Sequence, residues 1–183
     1  MINFNIPSED PFFHWPNLKV KDQNVLDLGC GRHGSGWDLI DDNGMPARDS
    51  GATPFYFLNN CQANKVVGVD LSKRDIDFYN KINSSPNIIF IEQDLSVPNA
   101  DEIIKNIIKE HQITYIKSDI EGYELFFLNF KKEDYQTING IAIEYHNLDG
   151  KTLLLSHFIS MGFTLDAEGI YNDQVGVLVL NKN

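Results

Sequence analysis

Asp27, Asp70, Asp94 and Asp119 each stand at or just after a short apolar, β-branched run, and Glu144 and His146 close another such run. Carboxylates accept hydrogen bonds from hydroxyls and amines, and an imidazole can move a proton near neutral pH. Glu144 and His146 are two residues apart, so on a strand they share a face. Around the first aspartate the chain reads Asp27-Leu28-Gly29-Cys30-Gly31-Arg32-His33-Gly34. Glycines there let backbone N–H groups come close to a ligand. The spacing of Gly29, Gly31 and Gly34 also fits the Gly-x-Gly-x-x-Gly turn of dinucleotide sites. Asp27 shifts that balance, because a carboxylate facing the turn suits a cationic amine or a bound water and poorly suits a pyrophosphate.

Asp70, followed by Leu71, is placed to accept from ribose hydroxyls, as it would be in a dinucleotide site too. Asp94 can accept from an adenine amino group while a backbone N–H beside it, at Leu95, donates to the ring. At the other end, Asp119, Glu144 and His146 are the candidate catalytic residues. His146 is the first choice as general base, since the reference imidazole pKa of roughly 6.5 lies near neutrality. Asp119 would orient it or help hold a cation. Asp119 with Glu144, His146 or Asn147 could form a hard Mg²⁺ or Ca²⁺ site, but no spacing is diagnostic and no metal is assigned. Lys117 reads as a strand residue neutralised by a nearby acid, Glu121 as a helix cap and Glu124 as structural.

The elements that must carry these residues alternate along the chain. Strands are expected at 24–28, 65–69, 87–91, 113–117, 138–144, 163–165 and 175–180. Helices fill the gaps: Thr53-Pro54 as cap and first residue of one to Asn60, and Ser72 with Asp75 opening one to about Lys81. Asn99 opens a third, whose Ile103, Ile104, Ile107 and Ile108 recur at helical spacing. Further helices are expected at 122–130 and 151–161, the latter stopped by Gly162. This pattern predicts an α/β fold: a Rossmann-like, doubly wound, seven-stranded, mostly parallel sheet with helices on both faces. Such sheets bind ligands beyond the carboxyl ends of their strands.

The whole chain, 183 residues with 42% apolar and 22% charged, reads as one domain, 1–183. Residues 1–23 are expected to be an N-terminal extension and 32–52 an inserted loop near the active site. The aromatic run Pro11 to Pro16, and Trp37 and Met45 in the insertion, are candidates to cover the site. Fifteen basic against 26 acidic residues give a net charge of −11, which argues against nucleic acid as a partner. No membrane-length apolar run and no signal peptide is apparent. Cys30 and Cys61 form no zinc-type cluster and read as free thiols, so a cytoplasmic setting is expected.

Val25-Leu26-Asp27-Leu28-Gly29-Cys30-Gly31, Val67-Gly68-Val69-Asp70 and Asp94 together resemble the cofactor motifs of class I methyltransferases. Lys117-Ser118-Asp119-Ile120-Glu121-Gly122-Tyr123-Glu124 and Glu144-Tyr145-His146 resemble the FkbM-type members, over about Asn24 to Asn181. The resemblance implies S-adenosyl-L-methionine as cofactor and methyl transfer to an oxygen nucleophile on a sugar or other small molecule. It implies that Asp27 holds the methionine amino group directly or through water, that Gly29 and Gly31 pack on the cofactor, that Asp70 grips the ribose and that Asp94 reads adenine, with Leu71 and Leu95 beside them. The chain departs from the family pattern in Gly-Cys-Gly-Arg-His-Gly and in the insertion from Arg32 to Ala52, which bear on substrate more than on reaction. A nicotinamide-dependent oxidoreductase and a non-catalytic cofactor-binding or partner module remain open at this level.

Overall fold

A computed structural model describes residues 2–5 (backbone), 18–31, 53–59 and 61–182. The aromatic run Pro11 to Pro16, Arg32, His33, Gly34, Trp37, Met45 and the rest of the 32–52 insertion lie outside the described residues.

The strands are β1 (Ile2–Asn5), β2 (Asn24–Leu28), β3 (Lys65–Asp70), β4 (Ile88–Glu92), β5 (Tyr115–Ser118), β6 (Gly140–Tyr145), β7 (Thr164–Ile170) and β8 (Gly176–Asn181). They form one sheet in the order β1-β7-β8-β6-β5-β2-β3-β4. β8 runs antiparallel to β6 and β7; every other pairing is parallel. The seven expected strands are thus present, and β1 adds an eighth beside β7.

Near-continuous apolar runs form β2, β3 and β6 because the sheet is covered on both faces. Leu26, Leu28, Val67, Val69, Ile116, Ile141 and Ile143 pack on one face against α3 (Ala100–His111), α4 (Leu148–Ser160) and the 3₁₀ turns Glu124–Asn129 and Lys132–Tyr135. Val25, Val66, Tyr115, Ala142 and Val179 face the other way, toward α1 (Thr53–Asn59), and Ile88 and Phe90 pack there on α1 and α2 (Lys73–Ile82). The helix ends follow the expected chemistry. Ser72 accepts from the Asp75 N–H to cap α2, and Asn147 accepts from the Gly150 N–H at 2.6 Å to cap α4. The helix expected at 122–130 is instead a tighter 3₁₀ turn, and α4 begins three residues earlier than its apolar pattern suggested.

Chain order runs β2, β3, β4 to one side and β5, β6 to the other, so the switch point lies between β2 and β5. There the backbone closes tightly. Gly29 has φ +75°, and a Cβ on it would lie 1.7 Å from the Asp119 carbonyl oxygen. No side chain fits at that junction.

Candidate active site

A cavity of about 340 Å³ opens at the switch point. β2 contributes Gly29; β3 and its exit contribute Val69, Asp70, Leu71 and Ser72. Gln93, Asp94, Leu95 and Ser96 come from the turn after β4, and Asp119, Ile120, Glu121 and Tyr123 from the turn after β5. The structure therefore brings Gly29, Asp70, Leu71, Asp94, Leu95 and Asp119 of the sequence-derived set around one space. The described lining holds four carboxylates and no basic side chain.

Asp70 is a clamp as well as a lining residue. Its Oδ2 accepts from the Gly31 N–H and its Oδ1 from the Ser72 N–H, both at 2.8 Å. A Cβ on Gly31 would fall 2.5 Å from that carboxyl group, which is why the second glycine is needed. Each carboxylate oxygen keeps a second lone pair for a ligand hydroxyl. Asp94 is exposed; its Oδ1 accepts from the Ser96 N–H at 2.8 Å and the Ser96 hydroxyl at 2.7 Å. Those bonds hold its carboxyl group below the usual range. Leu71 is 71% exposed at the cavity lip, a large apolar side chain that a flat ring could cover.

Asp27 sits elsewhere. It is wholly buried and does not line the cavity; its Oδ1 lies 2.9 Å from Lys117 Nζ. Lys117, in turn, donates to the Gly29 carbonyl at 3.3 Å. Burial pushes the Asp27 carboxyl up against the pull of Lys117. For Lys117, burial opposes the charge, but Asp27 and Asp119 outweigh it and keep the ammonium protonated. The pair thus supports the glycine turn from beneath. The partner of Asp27 was not evident from the sequence, where Lys117 had only an unnamed acid; parallel pairing of β2 with β5 sets Asp27 opposite Lys117.

The exits of β5 and β6 are crowded with acid. One ligand atom each from Asp119, Glu144 and His146 falls within 4.8 Å of the others, a spacing open to a divalent cation. His146 Nε2 lies 3.3 Å from Glu121 Oε2 and 3.8 Å from Glu144 Oε1, and its Nδ1 lies 3.3 Å from Glu124 Oε1. Glu124 contact raises the imidazole pKa to about 9, over the opposing effect of burial, with help from Glu144 and Glu121. Burial, then Asp119, pushes Glu144 up to about 9 as well. The premise that His146 titrates near its reference value therefore does not hold in the ligand-free chain. With both pKa values raised, the surroundings favour the imidazolium and the neutral Glu144 carboxyl. Among the described residues, no helix is long and apolar enough to cross a membrane.

Comparison with known proteins gives a family and a fold. The family profile of the methyltransferase FkbM domain matches residues 3–161. A search of curated proteins gives no match. Among solved structures, M. capricolum TrmK in complex with the cofactor product S-adenosyl-homocysteine is similar, with a TM-score of 0.59 at 20% identity over 90% of this chain and 65% of that one. The B. subtilis M1A22 tRNA methyltransferase TrmK gives 0.56 at 14% identity, over 90% and 62%. The ribosomal protein L11 methylase of Lactobacillus delbrueckii subsp. bulgaricus gives 0.54 at 12%, over 90% and 72%. The chain thus spans less than two-thirds of the length of the two TrmK proteins. At these identities the likeness is one of fold.

Proposed function

The chain belongs to the FkbM methyltransferase domain family, and from that premise we propose that it transfers the methyl group of S-adenosyl-L-methionine to a hydroxyl of a sugar or another small molecule. One observation carries the reading: the carboxylate-lined strip from Asp70 to Leu95 shares its cavity with Asp119, which lies in a cluster with Glu144 and His146. The lining suits this cofactor. Among the described lining residues, carboxylates without a basic side chain favour a cationic amino-acid nucleoside over a pyrophosphate. Leu71, Leu95 and Val69 give apolar surface for a base, while Asp70 and Asp94 offer acceptors for hydroxyl and amino groups.

When bound, S-adenosylmethionine supplies a methyl group made electrophilic by its sulfonium. The residues of this chain do the rest. Asp70 holds Gly31 and Ser72 in place and accepts from the ribose side. Asp119, Glu144 and His146 would receive the acceptor hydroxyl, align it and take its proton. His146, whose pKa is raised, would take that proton once it has lost its own, a loss that a cationic ligand beside the cluster favours. The same excess of acid, with a net charge of −11, supports a small neutral or cationic acceptor over a polyanion. Free thiols at Cys30 and Cys61 agree with a cytoplasmic setting.

Calorimetry of the purified chain with S-adenosylmethionine and with NAD tests the cofactor. Binding of the first and not the second is expected; binding of NAD alone would overturn the reading. Release of S-adenosylhomocysteine in the presence of sugar hydroxyls, compared with tRNA, then tests the acceptor. Release with tRNA only would move the assignment to nucleic acid.

A further inference from the structure

Glu124 is absorbed by neither the cofactor strip nor the catalytic trio, yet it is 3% exposed and makes three polar approaches through one oxygen. Its Oε1 accepts from the Ile120 N–H at 3.2 Å and from the Gly122 N–H at 3.3 Å. These two amides flank Glu121, where the chain takes two successive left-handed residues, Glu121 at φ +55° and Gly122 at φ +100°. A left-handed glutamate is strained and persists only where its surroundings hold it. The turn after β5 is thus wrapped on the Glu124 carboxylate.

The same oxygen lies 3.3 Å from His146 Nδ1. Nδ1 is closed to solvent and makes no well-aligned hydrogen bond, so this approach is its polar contact among the described residues. Apo catalytic contacts are commonly loose and tighten on binding. With Nδ1 turned to Glu124, Nε2 faces Glu121 and Glu144, and Glu121 lines the cavity. Which ring nitrogen meets a substrate is set by the bond the other nitrogen makes.

We propose that Glu124 is a positioning residue: it fixes His146 through Nδ1, presents Nε2 to the acceptor space, and with the same oxygen folds the turn that carries Asp119 and Glu121. A role confined to stapling the turn would leave His146 indifferent to the charge at Glu124. The assignment rests on His146 lying at the acceptor end, but its main test requires no methyl transfer.

The ¹⁵N-labelled full chain, with the His146 ring signals identified by their loss in His146→Gln, should show a ring Nδ1–H protected from solvent exchange. In Glu124→Gln the amide oxygen still accepts from Ile120 and Gly122, so those two amide resonances should stay in place. The Nδ1–H should exchange roughly tenfold faster, because a charge-assisted bond becomes a neutral one. Absence of a protected Nδ1–H in the natural chain would overturn the proposal, whatever the variant does. So would unchanged exchange in Glu124→Gln. In turnover, Glu124→Gln combined with His146→Ala should be no slower than His146→Ala alone, because a residue acting through another adds nothing once that one is gone. Additive losses would also overturn it.

Discussion

Two charged assemblies lie two residues apart on one strand and its exit. At Lys117, the ammonium pairs with Asp27 at 2.9 Å, both groups buried, and also feels the charge of Asp119. At Asp119, the cluster of Asp119, Glu121, Glu124 and Glu144 surrounds a single imidazole. The first assembly is balanced, so it can be closed off from water and used to hold the Gly29 turn. The second is unbalanced: four carboxylates stand beside one His, and two of them, Asp119 and Glu121, line the cavity. The balanced pair is architecture; the unbalanced cluster is ready for a cationic ligand.

The largest expected effect tests the balanced side. Lys117→Met leaves the Asp27 charge buried without its counter-ion and should cost about 3–5 kcal/mol of stability in urea unfolding. Adding Asp27→Leu should recover most of that loss. A single variant as stable as the natural chain would break the contrast, because the pair would then not be holding the turn.

The next effect separates the two ends of the cavity. Asp70→Ala should weaken S-adenosylmethionine binding by roughly tenfold or more, since it removes both a ligand acceptor and the clamp on Gly31 and Ser72. His146→Ala should instead slow turnover by about a hundredfold while leaving cofactor affinity nearly unchanged. Calorimetry and a turnover assay on both variants read this directly; equal losses of affinity would merge the two regions.

The last effect is in pH. His146 has its pKa raised from 6.5 to about 9, and Glu144 from 4.5 to about 9. Over those windows the folded chain holds protons that the unfolded chain has released. Their contribution to stability is therefore present at the acidic side and lost as pH rises toward about 9. Thermal midpoints measured from pH 6 to pH 9.5 should fall, and His146→Gln with Glu144→Gln should flatten the slope. A midpoint that rises over this range would show that the cluster does not retain its protons.

Much was legible in the sequence, for specific reasons. The strands at Val25 to Leu28, Val66 to Val69 and Ile141 to Ile143 are marked by apolar runs too long for a half-exposed face. Ser72 and Gly162 carry the chemistry of helix ends in their own residue types. The segment at 122–130 was harder. Its amphipathic pattern allows an α-helix, but the left-handed Glu121 and Gly122 feed it into a 3₁₀ turn that packs Phe127 and Phe130 against Phe158 and Tyr135.

What the sequence by itself determined was the alternation of elements and the placement of Asp70, Asp94 and Asp119 at strand exits, because periodicity and turn chemistry are local. What only the tertiary structure decided was which charges meet. Asp27 and Lys117 are 90 residues apart in the chain but opposite one another in register. That pairing buries Asp27 beneath the glycine turn. Glu124 acquired its partner His146 in the same way, between the exits of the neighbouring strands β5 and β6. The proton affinity of an imidazole is set by its neighbours in space, and those neighbours come from the exits of two different strands.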